Sequence, residues 1–366
     1  MNKKERLMSL DALRGFDMLW IMGLSGAVGA LCALAGAKDG ALAQQMTHVS
    51  WEGFRHHDTI FPLFLFLAGA SWPFSCAAQL AKGRTRGQIT LRVLKRMALL
   101  VCFGLVINGL LKFDFAHLRI PSVLGFIGMS WAGAALLYLY VRKTSVRIAI
   151  AAALAVGYWA LLRFVPAPDA PDGAALFSYG NTIANWVDRT LFGTHIIGKG
   201  DPEGILSVLC GTVTGCLGVF SGELVRSTRL SGGRKALFLA LFAVLLLALG
   251  FAWQPWCPCI KKLWSPTFAL FAGAYSAALF ALFYWLCDVR MWRGWTFPLR
   301  VIGMNSITIY LLMRFAGFNG ISAQLFGGVA SWGNADWSRF VVFLGQVLVE
   351  WLVLWYLYRK NTFLKV

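Results

Sequence analysis

Charge is scarce in this sequence. Only 14% of its 366 residues are Asp, Glu, Lys or Arg, against about a quarter in an ordinary soluble domain. The shortage excludes a soluble enzyme. The phosphate-cradling and metalloprotease patterns GxxxxGK[ST], GxGxxG and HExxH are missing, as is a GxSxG elbow in a strand-to-helix context. Any nucleotide-bearing co-substrate would have to be held by a membrane fold. The eight cysteines contain no CxxC pair and no spacing with His that fits a metal, so neither a metal nor a disulfide scaffold is expected. Cys32, Cys76, Cys102, Cys210, Cys216 and Cys287 lie in apolar blocks, where a thiol acts as a small hydrophobe. Cys257 and Cys259 flank Pro258. A bond between them would close a very tight ring, which leaves two thiols or pairing elsewhere.

What is present is hydrophobic, 58% of the chain, and it comes in long blocks. A block of about 20 apolar residues spans a bilayer as a helix. Ten such blocks are read near 13–36, 59–81, 91–111, 121–141, 146–165, 204–225, 235–254, 264–287, 297–318 and 338–358. The expected fold is all-α: a polytopic membrane protein of about ten transmembrane helices in one bundle, residues 1–366 forming a single integral domain. "MNKKER" is a basic start, but Asp11, Arg14 and Asp17 interrupt the early part of the first block. That block is therefore read as a retained helix and not as a signal peptide.

The net charge of +18 raises the question of nucleic acid. No basic patch is interleaved with exposed aromatics, so no nucleic-acid partner is expected. Of the 34 Lys and Arg residues, 23 lie in "MNKKERLMSLDALR", "KGRTRGQITLRVLKR", "RKTSVR", "RSTRLSGGRK", "RMWRGWTFPLR" and "RKNTFLKV". This is the positive-inside pattern; it places those stretches and both termini in the cytoplasm. The other side carries residues 37–58, the stretch near 113–120, the long loop 166–203, "QPWCPCIKK" and 319–337. Within 166–203, "NTIANWVDRTLFG" reads as a short helix.

The chemistry gathers at the outer boundary. His48, His56 and His57 are three of only five histidines, and Asp58 stands next to them at the head of an apolar run. A histidine is the side chain most readily used as a base near neutral pH. His48 is the working candidate, with Trp51 as a face for a sugar ring and Gly53 allowing close approach. Asp58 would orient His48, although a carboxylate in a first helical turn also needs no further task. His56 and His57 read as interface residues. In "DPEGIL", Asp201 and Pro202 are helix-start signals, while Asp201 and Glu203 also give the outer side carboxylates that attract an amine. Asp11 and Arg14 are spaced to pair on one helix face. Asp17 needs a partner or water. Asn305 and Arg314 are polar groups inside the ninth block, where such groups face the bundle interior; Asn305 and Ser306 serve helix packing equally well.

Several stretches together carry a resemblance. "RLMSLDALRG", "HVSWEGF" with "DTIFPLFLF" after it, "DPEGIL", "KKLW", "GMNSITIYL" and "WYLYRKNTFLKV" run in order from residue 6 to the C-terminus. They resemble the heparan-α-glucosaminide N-acetyltransferase family, and in particular its bacterial branch, which includes proteins named as glucosamine N-acetyltransferases or amino-sugar transporters. The resemblance implies an enzyme of a bacterial inner membrane. It would move acetyl from cytoplasmic acetyl-CoA to the amine of a glucosamine-type sugar or oligosaccharide outside. It puts the family's active-site histidine at His48, as acetyl carrier or as base. An Asn of the first span in the animal enzyme falls on Ser25 here. The family block Arg-x-Pro-Gly-Val-Leu-Gln-Arg becomes "RIPSVLGFIG", residues 119–128, with Ser122, Gly125 and Phe126 at altered positions. The animal enzyme's large N-terminal region lies outside the resemblance.

On this reading Arg14, Arg96 and Arg300 are candidates for the phosphates of acetyl-CoA, and Asn305 for the thioester oxygen. The alternatives are an amino-sugar transporter without acyl transfer and a catalytically silent membrane protein. The bilayer is a partner in every case. The oligomeric state, a homodimer among the options, is not legible.

Overall fold

A computed structural model describes residues 7–364. The basic start "MNKKER" and the final Lys365 and Val366 lie outside the described residues. Among the described residues the chain is helical, with only two isolated bridges, Glu52 to Ile260 and Pro166 to Thr182. Eight helices are long and apolar enough to cross a membrane: Met8–Leu34, His56–Leu80, Val123–Tyr140, Thr144–Phe164, Val208–Arg226, Gly232–Trp253, Pro266–Val289 and Ala335–Arg359. The protein is thus a polytopic membrane protein. The third expected block is also a helix, Arg86–Ile107. Arg86, Arg92, Lys95 and Arg96 charge its first half and set it apart from the eight. The ninth block is broken: Gly294–Gly303 and Ser306–Phe315 meet at 58°, and the pair counts as one span or as a re-entrant turn. Residues 319–337, read as a connection, hold the helix Phe318–Ala330. Its apolar side packs on Ala335–Arg359, with Gly345 against Phe326 and Ser322.

The chain divides into two compact units. Of the described residues, one comprises 7–49, 55–60 and 279–364. Here Met8–Leu19 packs on Phe297–Gly303. The approach is close because Gly15 lies against the Leu299 carbonyl and Gly303 against the Asp11 carbonyl. Small residues permit this, and without a hydrophobic drive in lipid, close packing holds helices together. The first span widens over Trp20–Leu24, where Gly23 stands at φ +134°, a conformation closed to most side chains.

The other unit comprises residues 50–54 and 61–278. Its centre is aromatic: the Trp264 ring lies 4.9 Å from Phe61, 4.6 Å from Phe126 and 5.3 Å from Phe268. The Trp264 indole N–H donates to Thr214 Oγ1 at 3.1 Å, so the buried polar edge is satisfied. Val208–Arg226 lays Gly218 and Gly222 on the Phe66 and Ala70 carbonyls. Gly218→Val is expected to lower the thermal midpoint in detergent. Overpacking costs about 1–3 kcal/mol, and here the obstacle is backbone that has little room to yield. Retention of the folded peak on heating, monitored by fluorescence-detected chromatography, checks it.

Candidate functional site

The histidine cluster is built by one turn of helix and the loop before it. His56–Leu80 opens with His56, His57 and Asp58. Arg55 ties the preceding loop, donating to Thr47 Oγ1 at 2.8 Å and to the His48 carbonyl at 3.3 Å. His48 is thereby placed over Asp58, with Nδ1 2.7 Å from Oδ1. The Asp58 side chain is 1% exposed and that of His48 is 56% exposed. The other Asp58 oxygen accepts from the Val49 N–H at 3.3 Å. A buried carboxylate under a half-exposed imidazole places the hydrogen on Nδ1 and the lone pair on Nε2, the geometry of an oriented base.

The other two histidines take separate partners. The His56 ring meets the Trp20 ring edge-on at 4.5 Å, and its backbone N–H donates to Gln45 Oε1 at 2.8 Å. His57 turns toward His48, ring centroids 4.4 Å apart, and its Nδ1 lies 3.2 Å from Ser25 Oγ. Sequence reasoning gave His57 only an interface role. Ser25, at the family's Asn position, pairs with this second imidazole. Neighbours in sequence carry no sign of such a pairing, because it joins positions 32 residues apart.

In the same unit lie Asn305, Arg14 and Arg300. Asn305 sits in the break of the ninth block and is buried. Its Oδ1 accepts from Thr308 Oγ1 at 3.3 Å, and its Nδ2 is buried with no hydrogen-bond partner among the described residues. Asp17 Oδ2 and Glu350 Oε2 are buried without such partners as well. Glu350 was not singled out from sequence; the signal was available, an acid within an apolar run. Arg14 pairs with Asp11 at 3.5 Å, as the spacing implied. Arg300 is half-buried on the helix that packs against that of Arg14.

The remaining expected residues belong to the other unit. The Trp51 indole N–H donates to the Phe177 carbonyl at 2.9 Å, and its ring meets Tyr179 edge-on at 5.1 Å. The Arg96 guanidinium lies over the Trp131 ring at 4.3 Å. Asp201 and Glu203 come together on Arg119. Nε and Nη2 of Arg119 donate to the two Asp201 oxygens at 2.9 and 2.6 Å, and Nη2 also meets Glu203 Oε2. An amine arriving at Asp201 therefore meets a carboxylate already satisfied. Arg119 opens "RIPSVLGFIG", yet sequence reasoning gave it no role, because its partners are more than 80 residues away. His195 completes the clasp: its Nδ1 lies 2.8 Å from the Leu118 carbonyl, and its own carbonyl accepts from the Ile120 N–H at 2.9 Å.

Asp188 lies nearby in Ile183–Phe192, outside the spans. Its Oδ1 accepts from the Ile205 N–H at 3.0 Å. Burial pushes its carboxyl up to about 7, and burial likewise pushes Glu203 up to about 7 against the pull of Arg119. A carboxyl raised in the folded state binds its proton more tightly there. Its stabilising effect is full below the unfolded value near 4 and is lost as pH rises toward 7. Loop 178–205 is expected to loosen between about pH 4 and 7. Asp188→Asn should remove part of that slope, and adding Glu203→Gln most of it. Hydrogen exchange at the Ile205 amide, corrected for intrinsic rates, reads the effect. Among the described residues no group of three His, Cys, Asp or Glu side chains is placed to hold a metal ion.

No protein-family model matches the chain. The heparan-alpha-glucosaminide N-acetyltransferase of Homo sapiens is 24% identical over 363 residues, covering 84% of this chain and 52% of its own length. That of Mus musculus is 26% identical over 384 residues, covering 87% and 56%. The chain spans about half the length of the curated relatives it matches. The resemblance carried by its motifs is borne out: along most of its length the chain is similar to heparan-alpha-glucosaminide N-acetyltransferases.

Proposed function

We propose that this protein is a transmembrane acyltransferase. It moves an acetyl group from cytoplasmic acetyl-CoA to the amine of a glucosamine-type sugar on the outer side of a bacterial inner membrane. The observation that carries the reading is the His48–Asp58 pair at 2.7 Å, in a chain similar to named N-acetyltransferases. The basic stretches, with both termini, face the cytoplasm.

The acceptor arrives as an ammonium and is inert until it loses a proton. His48 Nε2 takes that proton, and Asp58 stabilises the imidazolium. The freed amine attacks the thioester carbonyl. The C–N bond forms, the C–S bond breaks, and the leaving sulfur takes a proton and departs as the thiol. Attack by His48 itself is the covalent variant of the same reaction, with the acetyl passing through Nε2. Asn305 supplies a donor for the carbonyl oxygen, since its Nδ2 hydrogens are buried and unused.

Arg14 and Arg300, on two helices packed backbone to backbone, fit the donor's phosphates. Arg14 pairs with Asp11 at 3.5 Å, a long contact that a phosphate can replace. Arg96 is the third candidate, its guanidinium held over the Trp131 ring. Trp51 offers a ring fixed by its indole hydrogen bond, three residues after His48. Asp201 and Glu203 make the outer face acidic. Arg119 holds both carboxylates, so an amine bound there competes with its guanidinium.

A second reading, an amino-sugar transporter without acyl transfer, draws on Asp17 and Glu350, acids inside spans with unpartnered oxygens. Protein in nanodiscs, given acetyl-CoA and oligosaccharides ending in glucosamine, separates the two. Sugar-dependent release of CoA with an N-acetylated product supports transfer. No release, with uptake of unmodified sugar into proteoliposomes, overturns it in favour of transport.

A further inference from the structure

His57 lies within reach of the base, and the proposed reaction gives it no task. Its ring lies 4.4 Å from that of His48, tilted by 54°, and its Nδ1 is 3.2 Å from Ser25 Oγ. Ser25 is itself buried on the first span. His48 is thus bounded on two sides: Asp58 holds Nδ1 and His57 lies against the ring. Arg55 is spent on the loop carbonyl and Thr47, and the next ring along, His56, is packed on Trp20.

We infer that His57 is a positioning residue for His48, and that Ser25 sets its tautomer by donating its hydroxyl hydrogen to His57 Nδ1. The inference rests on His48 acting as the base. A hydroxyl donates only to an unprotonated ring nitrogen, so with Ser25 as donor the His57 hydrogen sits on Nε2. The two neighbouring rings then hold opposite tautomers, His48 as Nδ1–H and His57 as Nε2–H. The consequence is specific. A neutral ring beside His48 leaves room for the positive charge that appears there during proton abstraction. A protonated His57 would place a like charge within a few ångströms and oppose it.

The test needs neither donor nor acceptor. Histidine labelled with nitrogen-15 in the intact protein in nanodiscs reports each ring nitrogen. The expected result is a protonated Nδ1 on His48 and an unprotonated Nδ1 on His57. Ser25→Ala should mix the His57 tautomers, and Ser25→Thr, which keeps the hydroxyl, should restore one. A protonated Nδ1 on His57 overturns the inference. On turnover, Ser25→Ala is expected to lower kcat about tenfold with KM for the donor unchanged, and Ser25→Thr to recover it. A Ser25→Ala enzyme with full kcat also overturns the inference. Wild-type protein that shows the two opposite tautomers but no acetyl transfer refutes the proposed function and leaves the pair standing.

Discussion

His48→Ala is expected to abolish sugar-dependent release of CoA in nanodiscs, a loss of about 10²–10⁴-fold for an oriented base, while the protein remains folded. The fold should survive because the His48 side chain is half-exposed and belongs to a loop that Arg55 holds by backbone and by Thr47. Asp58→Asn should lower turnover less than His48→Ala at its optimum. An amide in that place offers His48 Nδ1 a weaker acceptor and no charge to balance an imidazolium. Release that survives His48→Ala would keep the enzyme and discard this site.

The second large effect is structural. Arg119→Ala is expected to destabilise the outer clasp by about 3–5 kcal/mol, the cost of leaving buried charge uncompensated. Asp201 is fully buried and Glu203 nearly so, and both turn to this one guanidinium. Asp201 also accepts from the Ile197 and Glu203 N–H groups, so the loop 195–203 is wound around it. With Arg119 gone, two carboxylates face each other in a dry place. Arg119→Lys should recover only part of the loss, since an ammonium does not span both Asp201 oxygens. Acid pH should rescue Arg119→Ala in part by protonating Glu203, whose carboxyl already stands at about 7. Limited proteolysis of loop 166–203 across pH 5 to 8 reads all three results. Wild-type resistance in Arg119→Ala would show that the clasp does not hold the loop.

Much of the architecture was legible in the sequence. Each of the ten apolar blocks corresponds to a helix or a helix pair, because in a bilayer an unpaired backbone group is too costly for anything but a helix or a closed barrel. The short helix in 166–203 was legible in "NTIANWVDRTLFG"; the structure adds that Thr182 caps it, accepting from the Asn185 N–H. The break of the ninth block was not. "GMNSITIYL" sets Asn305, Ser306 and Thr308 in an otherwise apolar run, and nothing local separates a straight helix from one that bends by 58° at Asn305. Phe318–Ala330 was missed for a related reason: its Gly and Ser content reads as connection, and packing on Ala335–Arg359 makes it helical.

At the site, composition and order alone determined that His48 and Asp58 stand at the head of a membrane helix, ten residues apart and able to pair. They also determined that acids gather near residue 201. What only the tertiary structure decided is which charges answer each other. Arg119 reaches Asp201 across 82 residues, and Ser25 reaches His57 across 32. Chain periodicity fixes which residues share a helix face. It says nothing about which face of another helix will meet them, because that choice is made by close packing of small residues such as Gly15 and Gly303, summed over whole helices.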